Sequence, residues 1–246
     1  MRIHRKFVRI IVYIFLPGIC LCANAQEETK WDYPIKPGTE EWNNLTTEKA
    51  RISALQIPEN IITKMSTENL IDACINFPLF GYYSAFSTPQ EGFNIMFSRF
   101  NIFNKICKKD SIGQYLVKIY EDAEMNGWRQ MAYKFDNKYW TLKLTYLEYL
   151  IAQKEVISKL NQKDKVKLLK IAKTKFAQKG AHQSFNSIPG ISPTLLLICR
   201  ILYSDKVLDD SILSNENFKR FLETGLLTDT EIIDEILNSA EIYLNE

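Results

Sequence analysis

The chain is expected to be all-α: an irregular multi-helix bundle or array of short antiparallel helices, with an extended N-terminal segment. Three observations predict this. Apolar residues recur at three- and four-residue intervals along most of the sequence. Ser, Thr and Pro punctuate the starts of those stretches, as helix caps and first-turn residues do. No run alternates in the way a half-buried strand would. The composition, 46% hydrophobic and 24% charged, is that of an ordinary globular chain and excludes a disordered one.

Residues 1–25 read as a cleaved secretory signal. Arg2, Arg5, Lys6 and Arg9 make a basic start and an apolar run covers residues 10–16. Ala23-Asn24-Ala25 places small residues before a cut at Gln26. A membrane anchor would need about 20 apolar residues, and Pro17-Gly18 breaks this run well short of that. Lipidation at Cys20 or Cys22 would want a small residue just before the cysteine, where Ile19 and Leu21 stand. The expected location is therefore the periplasm, the envelope or the medium.

The signal also accounts for the charge. It holds four of the 31 basic residues and no acidic ones, so the mature chain carries 27 basic against 29 acidic. Nucleic-acid binding loses its electrostatic basis. Cys74, Cys107 and Cys199 remain, an odd number at wide spacing, and buried apolar thiols are expected rather than a disulfide framework.

Residues 26–45 are expected to lie extended across a single helical domain, residues 46–246. Trp31-Asp32-Tyr33-Pro34-Ile35-Lys36-Pro37-Gly38 and Trp42 combine breakers with rings too apolar for a free tail. Pro58 then opens a short helix, and Ser66 caps a second that stops before Pro78. Thr88-Pro89-Gln90-Glu91 starts a helix whose stripe runs through Phe93, Met96, Phe97, Phe100, Phe103 and Cys107. Asp110-Ser111 restarts the chain for a face of Ile112, Tyr115, Leu116, Ile119, Tyr120 and Ala123, ended by Asn126-Gly127.

Residues 137–153 are apolar nearly all round and are expected to form the central helix, with Trp140 in the core. A lysine-rich helix over residues 162–178 follows, its lysines forming a solvated face over Val166, Leu169 and Phe176. A loop spans residues 180–191, and further helices open at Ser192-Pro193, Ser214 and Thr228. Met65-Ser66 with Leu70, Leu213-Ser214 with Phe218, and Leu227-Thr228 with Ile232 each have the layout of a hydrophobic staple; Thr228 with Glu231 adds a capping box.

Chemistry-bearing residues are few. Once His4 leaves with the signal, His182 is the one histidine left, and neither HExxH nor CxxC spacing occurs. No cofactor and no metal are expected. Paired carboxylates are the one catalytic route left open. Glu148 is its first candidate, because a charge on an apolar helix must meet a partner or a cleft; the alternative reading puts it on the helix's one wet edge. Asp32, Glu40 and Glu41 are further acidic candidates. Exposed rings suit a sugar or peptide surface, with Trp31, Tyr33, Trp42, Tyr82, Tyr83 and Trp128 available, and His182 in its loop beside them.

Residues 31–42 (WDYPIKPGTEEW), followed by Gln56-Ile57-Pro58-Glu59 and Asn76-Phe77-Pro78-Leu79, resemble exported helical proteins of gut Bacteroidetes over most of the mature chain. The resemblance implies a secreted or envelope-associated location and brings no activity or site residue. It also implies O-glycan acceptors at Asp110-Ser111-Ile112 and Asp210-Ser211-Ile212, so at Ser111 and Ser211, but both stretches also read as ordinary helix starts, and capping is the preferred account. The expected function is that of a non-enzymatic module binding an envelope or extracellular protein, peptide or glycan, with no nucleic acid and no transmembrane segment in the mature chain. A carboxylate-dependent hydrolase of cell-wall or glycan material is the alternative.

Overall fold

The computed structural model describes residues 29–123, 140–181 and 187–245. The signal, Asn126-Gly127, Trp128 and His182 lie outside the described residues, as does the Trp140 side chain. Among the described residues the chain is all-α, and no helix is long and apolar enough to cross a membrane.

Residues 29–38 run without helix and dock their rings as expected. Tyr33 is buried with its ring 5.7 Å from Phe77, and Trp31 packs edge-on to Tyr33 at 6.2 Å. Phe77 in turn meets Phe100 and Phe103 at 4.7 and 5.2 Å, so the segment is anchored in an aromatic cluster. Gly38 supplies the positive φ of +97° that turns the chain, and Thr39 caps a short helix, α1 (Glu40–Asn43). Helices α2 (Glu48–Ala54), α3 (Glu59–Ile62) and α4 (Thr67–Ile75) follow, with Ser66 accepting from the Asn69 N–H as its cap.

The aromatic stripe opened by Thr88 is not one helix. It divides into α5 (Pro89–Arg99) and α6 (Asn101–Ile106) at Phe100, whose backbone is extended. Side chains from the end of α2 explain the break. Gln56 donates to the Arg99 carbonyl at 2.8 Å and accepts from the Asn101 N–H at 3.0 Å. Asn101 donates to the Ile57 carbonyl at 2.7 Å and accepts from the Ile57 N–H at 3.2 Å. The two Gln56 bonds take over the Arg99 carbonyl and the Asn101 N–H, which a continuous helix would have paired internally, and the two Asn101 bonds tie that point to the Ile57 backbone.

Beyond α7 (Ile112–Asp122), α8 (Trp140–Ile151) and α9 (Lys154–Ile157), the long helix α10 (Gln162–Ala181) packs on α11 (Ile188–Ser204). The centre is shared: α8 is buried from Tyr146 to its end, but α11 is buried from Ser192 through Arg200 and on to Leu202. Ser192-Pro193 therefore lies inside α11, which opens at Ile188-Pro189 with proline in its first turn. Residues 180–181 and 188–191 of the expected loop are helical, the first in α10 and the second in α11.

Helices α12 (Asp210–Ser214), α13 (Glu216–Thr224) and α14 (Glu231–Asn245) complete the chain. Two expected caps shift. Asn215, not Ser214, accepts from the Asn217 and Phe218 N–H groups, because its amide oxygen reaches both donors. Asp229 accepts from the Glu231 N–H where Thr228 was expected to cap. Ser111 makes no capping bond and donates instead to the Thr67 hydroxyl at 3.0 Å; Asp209, rather than Asp210-Ser211, precedes α12. Buried Arg200 ties the ends of α8 and α13 together by donating to the carbonyls of Ala152 and Leu222 at 3.0 and 2.9 Å.

Candidate functional site

A short 3₁₀ turn, Tyr82–Ala85, organises the surface where two of the candidate rings, Trp42 and Tyr82, share a pocket. It lies directly on α5, and Gly92 permits that approach: a Cβ there would stand 2.2 Å from the Tyr83 carbonyl oxygen and 2.5 Å from its Cα. No other residue type fits between two backbones at that separation. Adjacent residues of the turn then serve different sides.

Tyr82 is half-buried and lines a pocket of about 300 Å³ with Trp42, Glu48, Arg51, Ile52, Leu79 and Phe100. Its hydroxyl accepts from an Arg99 Nη at 2.9 Å, and the same Arg99 donates to the Glu48 carboxylate. Arg51 lies over the Trp42 ring, its guanidinium carbon 5.7 Å from the ring centroid. Arg51 Nε donates to the Leu45 carbonyl at 3.1 Å, which fixes the plane of the group. No carboxylate among the described residues pairs with its two Nη groups. The Gln56–Asn101 clamp ties the chain just after α2 to the bend at Phe100, and both α2 and Phe100 are walls of this pocket.

Tyr83, the next residue, turns inward and is buried, with its ring 5.1 Å from Phe93 and 5.4 Å from Tyr149. It forms part of the wall of a second, larger pocket of about 430 Å³ with Ser84, Thr141, Leu142, Thr145, Pro189, Gly190, Ser192 and Leu226 among its neighbours. Among the described residues its lining holds no charged side chain. Gly225, at φ +72°, closes its far end as the left-handed cap of α13.

Behind that second pocket sits Glu148. Neither a wet edge nor a cleft receives it: the side chain is fully buried. Lys179 donates to Glu148 Oε2 at 2.5 Å, while Tyr120 and Thr194 each donate to Oε1 at 2.8 Å. Lys179 also donates to the Gly190 carbonyl at 3.2 Å. One helix turn earlier, buried Lys175 donates to the Ala123 carbonyl at 2.6 Å and lies 4.8 Å over the Tyr120 ring.

The expected solvated lysine face is thus corrected in part. Lys163, Lys167 and Lys170 are exposed, but Lys175 and Lys179 point into the protein. Burial pulls the Lys179 ammonium below the ordinary lysine value, and Glu148 opposes that pull. Burial and the neighbouring carboxylate push the Tyr120 hydroxyl well up, so it stays a donor. The arrangement joins four helices through a carboxylate that accepts three hydrogen bonds. Among the described residues it brings a cation and two hydroxyls to Glu148 and no second carboxylate.

The remaining candidates are dispersed. Trp31 and Tyr33 belong to the anchoring cluster, where neither the Trp31 Nε1–H nor the Tyr33 hydroxyl has a hydrogen-bond partner among the described residues. Asp32, Glu40 and Glu41 are exposed. Cys74 and Cys199 are buried, Cys107 is partly so, and all three are free thiols that burial pushes up, Cys107 to about 12. No group of three His, Cys, Asp or Glu side chains able to hold a metal ion occurs among the described residues. Arg51, Arg99 and Lys179 had no signal in the sequence beyond their charge. Comparison with protein-family models, with curated proteins and with solved structures returns no match.

Proposed function

We propose that the chain is a non-enzymatic binding module of the cell envelope or extracellular space, with the Trp42–Tyr82 pocket as its contact surface. The observation that carries this reading is the convergence of Trp42, Arg51 and Tyr82 on one concave site. Two of these are rings from separate elements, α1 and the 3₁₀ turn, and the third is a cation that no carboxylate among the described residues pairs with. Aromatic and arginine side chains together are the residues that most often anchor recognition. Export after residue 25 belongs to the same proposal and rests on the signal layout of residues 1–25, and kinship with helical proteins of gut Bacteroidetes rests on the resemblance of residues 31–42.

A hydrolase of cell-wall or glycan material would need two carboxylates flanking the bond to be cut. Glu148 does not support that reading, since its oxygens are taken up by Lys179, Tyr120 and Thr194 in a buried site. The test is capture of envelope components on immobilised mature chain, with protein and carbohydrate both identified. Trp42→Ala, with its circular dichroism unchanged, is expected to lose the captured material. Equal capture by Trp42→Ala and the parent would remove the pocket from the reading.

A further inference from the structure

Resting on that assignment of the pocket, we infer that it takes a carboxylate-bearing sugar unit, a hexuronic acid within an extracellular or envelope glycan. The charge pattern selects the carboxylate. Glu48 is already matched by Arg99, which leaves Arg51 as the uncompensated charge at the site. Its Nε is tied to the Leu45 carbonyl and its guanidinium carbon lies 5.7 Å from the Trp42 ring centroid, so the two Nη groups are left as the fork. A planar carboxylate meets such a fork with two parallel hydrogen bonds.

The rest of the lining selects a sugar over an acidic peptide. Ile52, Leu79, Phe100 and the two rings supply apolar surface for the C–H face of a pyranose. The Glu48 carboxylate, mostly exposed despite its bond to Arg99, offers acceptor oxygens to ring hydroxyls. A peptide docks along an extended edge or groove that takes several residues, and an acidic motif is taken by a cluster of arginines. Here the walls come from helices, the 3₁₀ turn and the bend at Phe100, they enclose room for a single unit, and Arg51 is the one arginine in the lining among the described residues. At about 300 Å³ the pocket stands at the small end of ligand sites, suited to one sugar unit of a longer chain.

The experiment is titration of the mature chain with trigalacturonate, its methyl ester and a hexaglutamate peptide, read by tryptophan fluorescence and calorimetry. Trigalacturonate is expected to bind, with the ester about tenfold weaker or more, since a charge-assisted pair is lost. Arg51→Gln should weaken trigalacturonate by a similar factor, and raised salt should weaken it further. Arg220→Gln, an exposed arginine outside the pocket, should change nothing. Equal binding of acid and ester, equal or tighter binding of the peptide, or no binding of trigalacturonate would each overturn the proposal. Should Trp42→Ala still abolish envelope capture in those cases, the pocket stands and the ligand class alone is wrong.

Discussion

Glu48 and Glu148 are each held by a cation and stand beside a tyrosine hydroxyl, yet the two assemblies belong to different parts of the protein's physics. Around Glu48, the Arg99 and Glu48 side chains are 36% and 68% exposed, and Arg99 also donates to Tyr82. Around Glu148, both members of the ion pair are 0% exposed, and Tyr120 donates to the carboxylate itself. Water screens the first and leaves it available to a ligand. The second is unavailable to any ligand and is coupled to the whole fold. Residue type is the same in both places; solvent decides what each can do.

The largest consequence of this difference lies in the buried pair. Glu148→Leu leaves Lys179 as a buried cation without its carboxylate, and should cost about 3–5 kcal/mol in denaturant unfolding. The double variant Glu148→Leu with Lys179→Met should recover much of that loss, because no charge is then stranded. Equal stability of the single and double variants would show that Lys179 finds another partner. The comparison would then lose its buried arm.

How much of this was legible in advance follows from where the information resides. Helix class, the docked aromatic segment and the Ser66 and Thr88 caps depend on local spacing, and local spacing is what a sequence displays. The break at Phe100 depends on Gln56 and Asn101, which lie more than forty residues apart. The inward turn of Lys175 and Lys179 depends on Glu148 and Ala123 waiting at the right depth. Lysines spaced along a helix look alike whether water or a carboxylate awaits them, so the solvated reading was the natural one. The pocket was half legible: Trp42 and Tyr82 stood out as rings in loop-like sequence, while Arg51 and Arg99 did not.

Gly92 sets the second test, because it seats the turn that divides the two pockets. Gly92→Ala would drive a methyl group into the Tyr83 backbone, and something must shift. A destabilisation of about 1–3 kcal/mol is expected, the range for overpacking in a tight interior. Tyr82 should move with the turn and pull its hydroxyl from Arg99. Binding at the Trp42 pocket should therefore fall more than Trp31→Phe, a change in the anchoring cluster, would make it fall. Unchanged binding and stability in Gly92→Ala would mean that the turn does not define the pocket.

A smaller effect should appear in alkaline solution. Burial lowers Lys143 to about 8 and also lowers Lys179, against 10.5 for an ordinary lysine. Between those lowered values and 10.5 the unfolded chain binds more protons than the folded one, so stability rises with pH across that window. The thiols, which burial pushes up, pull the other way above about pH 9. The lysine contribution is therefore read as the difference in unfolding between the parent and Lys143→Gln from pH 7 to 10.5, beginning near pH 8. Lys143→Gln should remove the part that starts there. A slope of the same size in Lys143→Gln would assign the whole of it elsewhere.

The smallest effect on stability, and the sharpest on the comparison, comes from the exposed assembly. Arg99→Gln breaks a screened ion pair and a bond to Tyr82, and should cost less than about 1 kcal/mol. A double-mutant cycle with Glu48→Gln should give a coupling of only a few tenths of a kcal/mol, falling further in high salt. Binding should respond differently, because Arg99 orients both the Glu48 carboxylate and the Tyr82 hydroxyl toward the pocket. A variant that unfolds like the parent yet binds more weakly is the signature of a site supported by exposed charge. A coupling as large as that between Glu148 and Lys179 would instead place Glu48 in the structural frame, and the contrast between the two carboxylates would disappear.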